Sequence, residues 1–231
     1  KNCLDPDGLI MLEFPYLVDL VAKNEFDTVY FEHLSYLSIN PIMTLVNKLG
    51  MSLCCVERQD IHGGSVRVFV SPTANKKSDK SVLNLCEQET MLGFHRLEIY
   101  QTWSCGVYSL IEDLTMNLRR LKQSGAKIAA FGASAKGNTL LNACRFTTDI
   151  ISYIVDDTPE KIGKYSPGTG IPIVNRSELS KSRPDFLLVL AWNFLEDVMR
   201  STATYSKEGG KYIVPIPEFR IVEDCQLLNV Y

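Results

Sequence analysis

Tyr30-Phe31-Glu32-His33 sets an imidazole beside a carboxylate and a phenol. Imidazole is the side chain best suited to take a proton near neutral pH, and a carbon-bound proton next to a ketone needs such a base within hydrogen-bond reach. The competing reading is a histidine that only bonds a backbone carbonyl. A second cluster, His62-Gly63-Gly64-Ser65-Val66-Arg67, combines glycines that let a ligand approach the backbone with a guanidinium able to clamp a phosphate or carboxylate. Its plainer reading is a glycine-rich hairpin turn. The run Gly132-Ala133-Ser134-Ala135-Lys136-Gly137-Asn138-Thr139 offers a tight turn and then the free N–H groups and positive dipole end of a helix, which together suit a phosphate. It is not a P-loop, because Lys136 precedes Gly137, and Ser134 stands where the dinucleotide fingerprint has its middle glycine.

Three smaller features fall just after candidate strands. Asp156 and Asp157 lie about 24 residues past Gly132, near where an acid meets ribose hydroxyls in a nucleotide-binding unit, although a capped turn before Pro159 accounts for them equally well. Trp192-Asn193 and Pro217-Glu218 would add an aromatic face, an amide and a carboxylate to the same crevice, unless Asn193 is simply a helix N-cap. His95 has no partner nearby in sequence and reads as structural.

The elements that must position these groups follow from periodicity. Leu9–Phe14 is an almost continuous apolar run after the turn Asp5-Pro6-Asp7-Gly8, as a buried parallel strand would be, and Tyr16–Lys23 is a short helix. Residues 27–38 fit no amphipathic template and form a candidate site loop. Pro41–Leu49 resumes a helix closed by Gly50, and Met51–Glu57 with Ser65–Val70 makes an antiparallel pair around Gly63-Gly64. Polar residues 73–81 are a linker or an exposed helix start. From Leu97, apolar residues at three- and four-residue steps through Leu121 describe the core face of one long helix. Beyond Gly125 strands alternate with helices: strands at 127–132, 150–155, 171–174, 186–191 and 212–215, and helices at 136–144 and 194–207. Such alternation builds a mainly parallel, Rossmann-like doubly wound sheet, whose ligands bind beyond the carboxyl ends of the strands. The organisation expected is 1–72, 73–125 as linker and long helix, and 126–231 as an α/β domain.

Composition narrows the partners. The 231 residues are 45% hydrophobic and 22% charged with a formal net charge of -3, so no broad basic surface is available for nucleic acid. Seven scattered cysteines, none spaced C-x-x-C, speak against a disulfide framework and a zinc knuckle and for reduced thiols in a cytoplasmic protein. No metal site is expected within the chain. No apolar run nears the roughly 18 residues of a membrane span, and Lys1-Asn2 is neither a signal peptide nor an initiator, so the chain is expected to begin inside a longer protein.

Taken in order, Tyr30–Tyr36, His62–Arg67, Gly132–Asn142 and Lys211–Glu218 resemble the bacterial nucleotide-sugar C-methyltransferases, which add a branch methyl to deoxy-keto-sugars. The resemblance covers nearly the whole chain. It implies a three-part protein: a zinc-binding N-terminal module, a central class I methyltransferase domain that holds S-adenosylmethionine, and a C-terminal α/β domain that helps hold the nucleotide-sugar. Residues 9–70 then correspond to the last strands of the central domain, and the donor loop and zinc cysteines lie outside this chain, in a missing N-terminal half or a complementing chain. The resemblance makes His33 the base that deprotonates the carbon beside the ketone. Glu32 and Tyr30 would orient it or stabilise the enolate, and His62, Gly63, Gly64, Arg67, Ser134, Lys136, Gly137, Asn138, Asp156, Trp192, Asn193 and Glu218 would line the substrate, a thymidine diphosphate-sugar by expectation. One departure is that Phe31 stands where the family motif has a histidine. The alternative is a non-catalytic, Rossmann-like nucleotide- or dinucleotide-binding module, which leaves Glu32-His33 and His62–Arg67 unexplained.

Overall fold

The computed structural model describes residues 1–5, 7–61, 63–74 and 76–223. The chain forms two compact units: one from Lys1–Glu25 and His33–Cys105, the other from Phe26–Glu32 and the chain from Gly106 onward.

In the first unit, β1 (Ile10–Pro15), α1 (Leu17–Ala22), α2 (Ile39–Lys48), β2 (Ser52–Gln59), β3 (Ser65–Ser71) and α3 (Lys80–Met91) surround a three-stranded sheet of order β1-β3-β2. Both pairings are antiparallel, with Leu12, Val68 and Val56 in line across the sheet and Glu13, Arg67 and Glu57 in the next row. Because successive side chains point to opposite faces, Val66, Val68 and Val70 turn together into a core shared with Tyr16, Ile39, Ile42 and Val46. α2 supplies the last three at helical spacing. The polar run at 73–81 resolves into a helix start: Asp79 caps α3, accepting from the N–H groups of Ser81 and Val82. The reading of Leu9–Phe14 as a buried parallel strand is corrected. β1 is an antiparallel edge strand, and Leu9, Met11 and Leu12 are about half exposed. An apolar run signals two coverable faces but not which neighbour pairs with it.

The long helix α4 (Leu97–Gln123) buries Leu110, Leu114 and Leu118 at four-residue steps. Beyond it the second unit contains β4 (Ile128–Phe131), α5 (Ala135–Ala143), β5 (Ile154–Val155), β6 (Ile173–Val174), α6 (Glu178–Ser182), β7 (Phe186–Val189), α7 (Leu195–Ser201), α8 (Ala203–Lys207), β8 (Lys211–Val214) and β9 (Arg220–Val222). The sheet order is β6-β5-β4-β7-β8-β9, parallel throughout except for β9. This is the expected Rossmann-like architecture. The helix expected at 194–207 is broken in two at Thr202, whose hydroxyl is spent on the Val198 carbonyl (2.6 Å) and Tyr212 (2.8 Å). From β4 the chain winds outward through β5 to β6, then returns to place β7 on the other side of β4. That reversal is a topological switch point, where open α/β sheets leave a crevice at the strands' carboxyl ends.

Candidate active site

In the first unit, three pieces of chain meet at the carboxyl end of β1. The N–H of Tyr16 donates to Gly64 O at 3.0 Å, and the N–H of Leu17 donates to Leu37 O at 3.0 Å. The turn of the β2–β3 hairpin and the chain just after His33 are thus pinned to one sheet end. Gly63 and Gly64 adopt φ of +93° and +132°, and a Cβ on either would overlap the carboxylate of Glu25 or Asp19. Side chains are excluded there because acids press on the backbone. Asp19 also holds Arg58 at 2.5 Å, and that guanidinium lies 4.6 Å from the centre of the Tyr16 ring. His33 is half-buried, Glu32 exposed and Tyr30 half-buried. His62 lies outside the described residues.

Arg67 projects from β3 between two acids. Its Nε and Nη2 donate to Glu13 Oε2 at 3.0 and 2.6 Å, and Glu57 is 3.6 Å away. Its charge is compensated by the cross-strand row described above.

Tyr16 and Glu89 form the buried polar centre of this unit. Glu89, 1% exposed, accepts from Tyr16 Oη (2.9 Å), the N–H of Ile39 (2.5 Å), the N–H of Asn40 (2.9 Å) and Asn40 Nδ2 (2.9 Å). It thereby caps α2 from another helix, since neither N–H has a partner within α2. Burial, and then the Glu89 carboxylate, push the Tyr16 phenol well above its ordinary range. Beside this centre opens a cleft of about 690 Å³ whose lining includes Tyr36, Asn40, Lys48, Glu89 and His95. Its volume falls in the range of small-molecule sites. His95, read as structural from its sequence neighbours, lies on its wall.

The second unit places Gly132, with φ of +95°, against Ala191, and Gly137 against Leu190, where an added Cβ would sit 2.7 Å from the Leu190 Cβ. Both glycines let the loop and α5 close on β7 and its continuation. The loop's donors are largely used internally: Ser134 Oγ accepts from the N–H of Gly137 at 3.0 Å, and Asp156 Oδ2 from the N–H of Ala133 at 2.7 Å. Asp156 is 7% exposed. Burial opposes its charge, but bonds from Thr158 and Ala133 and the nearby Lys161 outweigh burial and hold its carboxyl below the ordinary range. Asp157 pairs instead with Arg176. Asn138 lines a pocket of only about 50 Å³, with Oδ1 buried and without a hydrogen-bond partner. That is far too small for a nucleoside. Asn193 lies inside the 3-10 turn Trp192–Phe194 and makes no cap bond to α7, and Glu218 is exposed in a bend after β8.

Lys136 does not reach into solvent. Its Nζ lies 3.9 Å from the centre of the Trp192 ring and 3.8 Å from Asp27 Oδ1, while Trp192 Nε1 donates to Asp27 Oδ2 at 2.8 Å. Asp27, in the 3-10 turn Phe26–Thr28, is fully buried. Burial raises its carboxyl to about 6, against the opposing pull of Lys136 and the Trp192 bond. A folded-state value above the unfolded one means that the folded chain holds the proton more tightly, so this group's contribution to stability falls as pH rises from about 4 to about 6. Denaturant melts should show wild type losing up to about 3 kcal/mol across that window relative to Asp27→Asn. Parallel pH profiles for the two proteins would contradict the assignment. Nothing in the sequence around Asp27 announces this role, since burial of one acid leaves no periodic trace.

Residues 60–217 match the family model described as the C-methyltransferase C-terminal domain. The chain belongs to the C-methyltransferase family. It is also 34% identical over 220 residues, 95% of its length, to C-methyltransferase NovU of Streptomyces niveus, and it spans 52% of that protein. The described residues of this chain frame no methyl-donor site. No strand of the first unit leads through a glycine loop into a helix among the described residues, and the Gly132–Gly137 loop of the second unit, which does join a strand to a helix, is closed on itself. Calorimetric titration of the chain with S-adenosylmethionine should therefore give no measurable heat of binding, and micromolar affinity would place the donor site within these residues. Among the described residues no three His, Cys, Asp or Glu side chains come together as a metal site, and no helix is long and apolar enough to cross a membrane.

Proposed function

We propose that this chain is the acceptor-handling portion of an S-adenosylmethionine-dependent C-methyltransferase that methylates the carbon beside the ketone of a nucleotide-linked deoxy-keto-sugar, with thymidine diphosphate as the carrier. The observation that carries the reading is the convergence at the carboxyl end of β1, where the Gly63-Gly64 turn and the chain following His33 are hydrogen-bonded to the adjacent residues Tyr16 and Leu17 respectively. His33 there takes the proton from the sugar carbon, and the electron pair moves to the ketone oxygen. Tyr30 or the Gly63 N–H donates to that oxygen, where preorganised donors lower the barrier most, while the Gly64 N–H is bonded to the Ile61 carbonyl at 2.9 Å. The methyl donor is held by residues outside this chain. Zinc, if the whole protein carries it, also lies outside. The exposed apolar residues of edge strand β1 support this partition, because they are the surface that a donor-binding half would cover.

The nucleotide side of the substrate falls in this reading to the edge bearing the Ser134–Asn138 loop, Asn193 and Glu218, with Lys136, Asp156 and Trp192 shaping that edge. A dinucleotide module is the poorer fit: Asp156, its ribose ligand, is turned back onto the loop. The complete protein, given S-adenosylmethionine and a thymidine diphosphate-linked deoxy-keto-sugar, should release a product one methyl group heavier, with the new C–C bond next to the carbonyl by NMR. Methyl on oxygen or nitrogen, or tighter binding of NAD(H) than of the sugar nucleotide, would overturn the reading.

A further inference from the structure

The crevice at the switch point of the second unit is filled by the protein itself. Lys136 follows β4 and Trp192 follows β7, the two strands between which the winding reverses, and both side chains converge on Asp27. The 3-10 turn that carries Asp27 packs on α5. In an open α/β sheet this is the place for a bound anion or nucleotide. Here an ammonium, an indole N–H and an aromatic face close around a carboxylate of the same chain instead.

We propose that Asp27 is a positioning residue, an intramolecular anion that locks the segment Phe26–Glu32 into the ligand crevice of the Rossmann-like unit and so sets where Tyr30 and Glu32 stand and where the chain leading to His33 starts. The proposal rests on the reading of His33 as the base for its catalytic meaning, although the lock itself does not. Tyr30 is three positions beyond Asp27 and His33 is six positions beyond it. Beyond Thr28 the intervening chain belongs to no helix or strand before α2. Asp27 gives this stretch a fixed point on its N-terminal side. A fully buried carboxylate with one oxygen 3.8 Å from its cation and without a hydrogen bond is a poor device for stability, and its value lies in fixing one arrangement. The three groups come from sites 109 and 165 residues along the chain from Asp27, so they specify a tertiary position that local sequence cannot.

The test uses this chain and amide hydrogen exchange read by mass spectrometry. Asp27→Asn should speed exchange across 28–33 about tenfold or more, while the peptides of β4 and β7 stay within twofold. Trp192→Phe keeps an aromatic face while removing the indole N–H together with one ring, and it should loosen the same peptide, so a misfolded Asp27 variant does not decide the matter. A merely structural side chain would not give the second signature. In a Trp103→Phe background, Trp192 emission should shift through a transition near pH 6 in the otherwise wild-type chain and stay flat in Asp27→Asn. The groups facing Asp27 are Lys136 from α5, the Trp192 indole, and the backbone N–H groups of Asp27 and Thr28. In the complete enzyme Asp27→Asn should lower kcat about tenfold with KM within threefold. Exchange across 28–33 unchanged in both variants, or the same emission profile in Asp27→Asn as in wild type, would overturn the lock. Undiminished turnover in His33→Ala would remove the base while leaving the exchange result standing.

Discussion

Alanine in place of His33 is expected to lower the turnover of the complete enzyme by about 100-fold or more, because a positioned general base commonly contributes that much. The imidazole is half-buried, and the chain just after it is tied down by the Leu37–Leu17 bond. A base so held loses little entropy on meeting its proton. Nucleotide-sugar affinity should change little, since the interaction lost forms only as the proton moves, and kcat and kcat/KM should fall together. Glu32→Gln should cost less, because Glu32 is exposed and its charge is screened by water. Steady-state kinetics on the three proteins decide it. Retention of more than a tenth of wild-type turnover in His33→Ala would move the role to another group, His62 being the next candidate.

The largest loss of stability should come from Glu89→Ala. Truncation there leaves the Tyr16 hydroxyl and the N–H groups of Ile39 and Asn40 without their protein acceptor at the wall of the cleft, and each donor left stranded costs about 1–3 kcal/mol. The sum exceeds about 3 kcal/mol, a large part of what holds a domain of this size. Glu89→Gln keeps an oxygen for the two helix N–H groups and should lose less. Urea melts would show the difference, with the Glu89→Ala chain losing the first unit's transition while the second unit, which contains none of these residues, keeps its own. A loss under about 1 kcal/mol would mean that water replaces the carboxylate and that the cap is dispensable. Because α2 begins six residues after His33, the same variant should also blunt catalysis in the complete enzyme.

What the sequence determined by itself was the periodic part of the molecule. Val66, Val68 and Val70 alternate because a pleated strand turns every second side chain inward, and the long helix shows its buried face in Leu110, Leu114 and Leu118, four residues apart. Gly132 and Gly137 announced a strand–turn–helix joint because only glycine lets α5 approach Leu190 and Ala191. The ordered set of motifs around Tyr30, His62, Gly132 and Lys211 carried the family, since a family is a one-dimensional pattern. Tertiary structure alone decided where the charges went. Arg67, Asp156 and Lys136 read as ligand-facing groups, yet each meets a partner inside its own unit, at Glu13, at Ala133 and at Asp27. Those partners lie far along the chain or across a sheet register, and an ion pair between distant residues leaves no period to read. The segment Phe26–Glu32 is the clearest case. It matched no amphipathic template because beyond the single 3-10 turn Phe26–Thr28 it is neither helix nor strand, and only the folded chain assigns it to the crevice of a unit whose other residues begin at Gly106. The physical reason is that local pattern records which face of an element is buried, whereas the choice of what buries it is made by the whole chain at once.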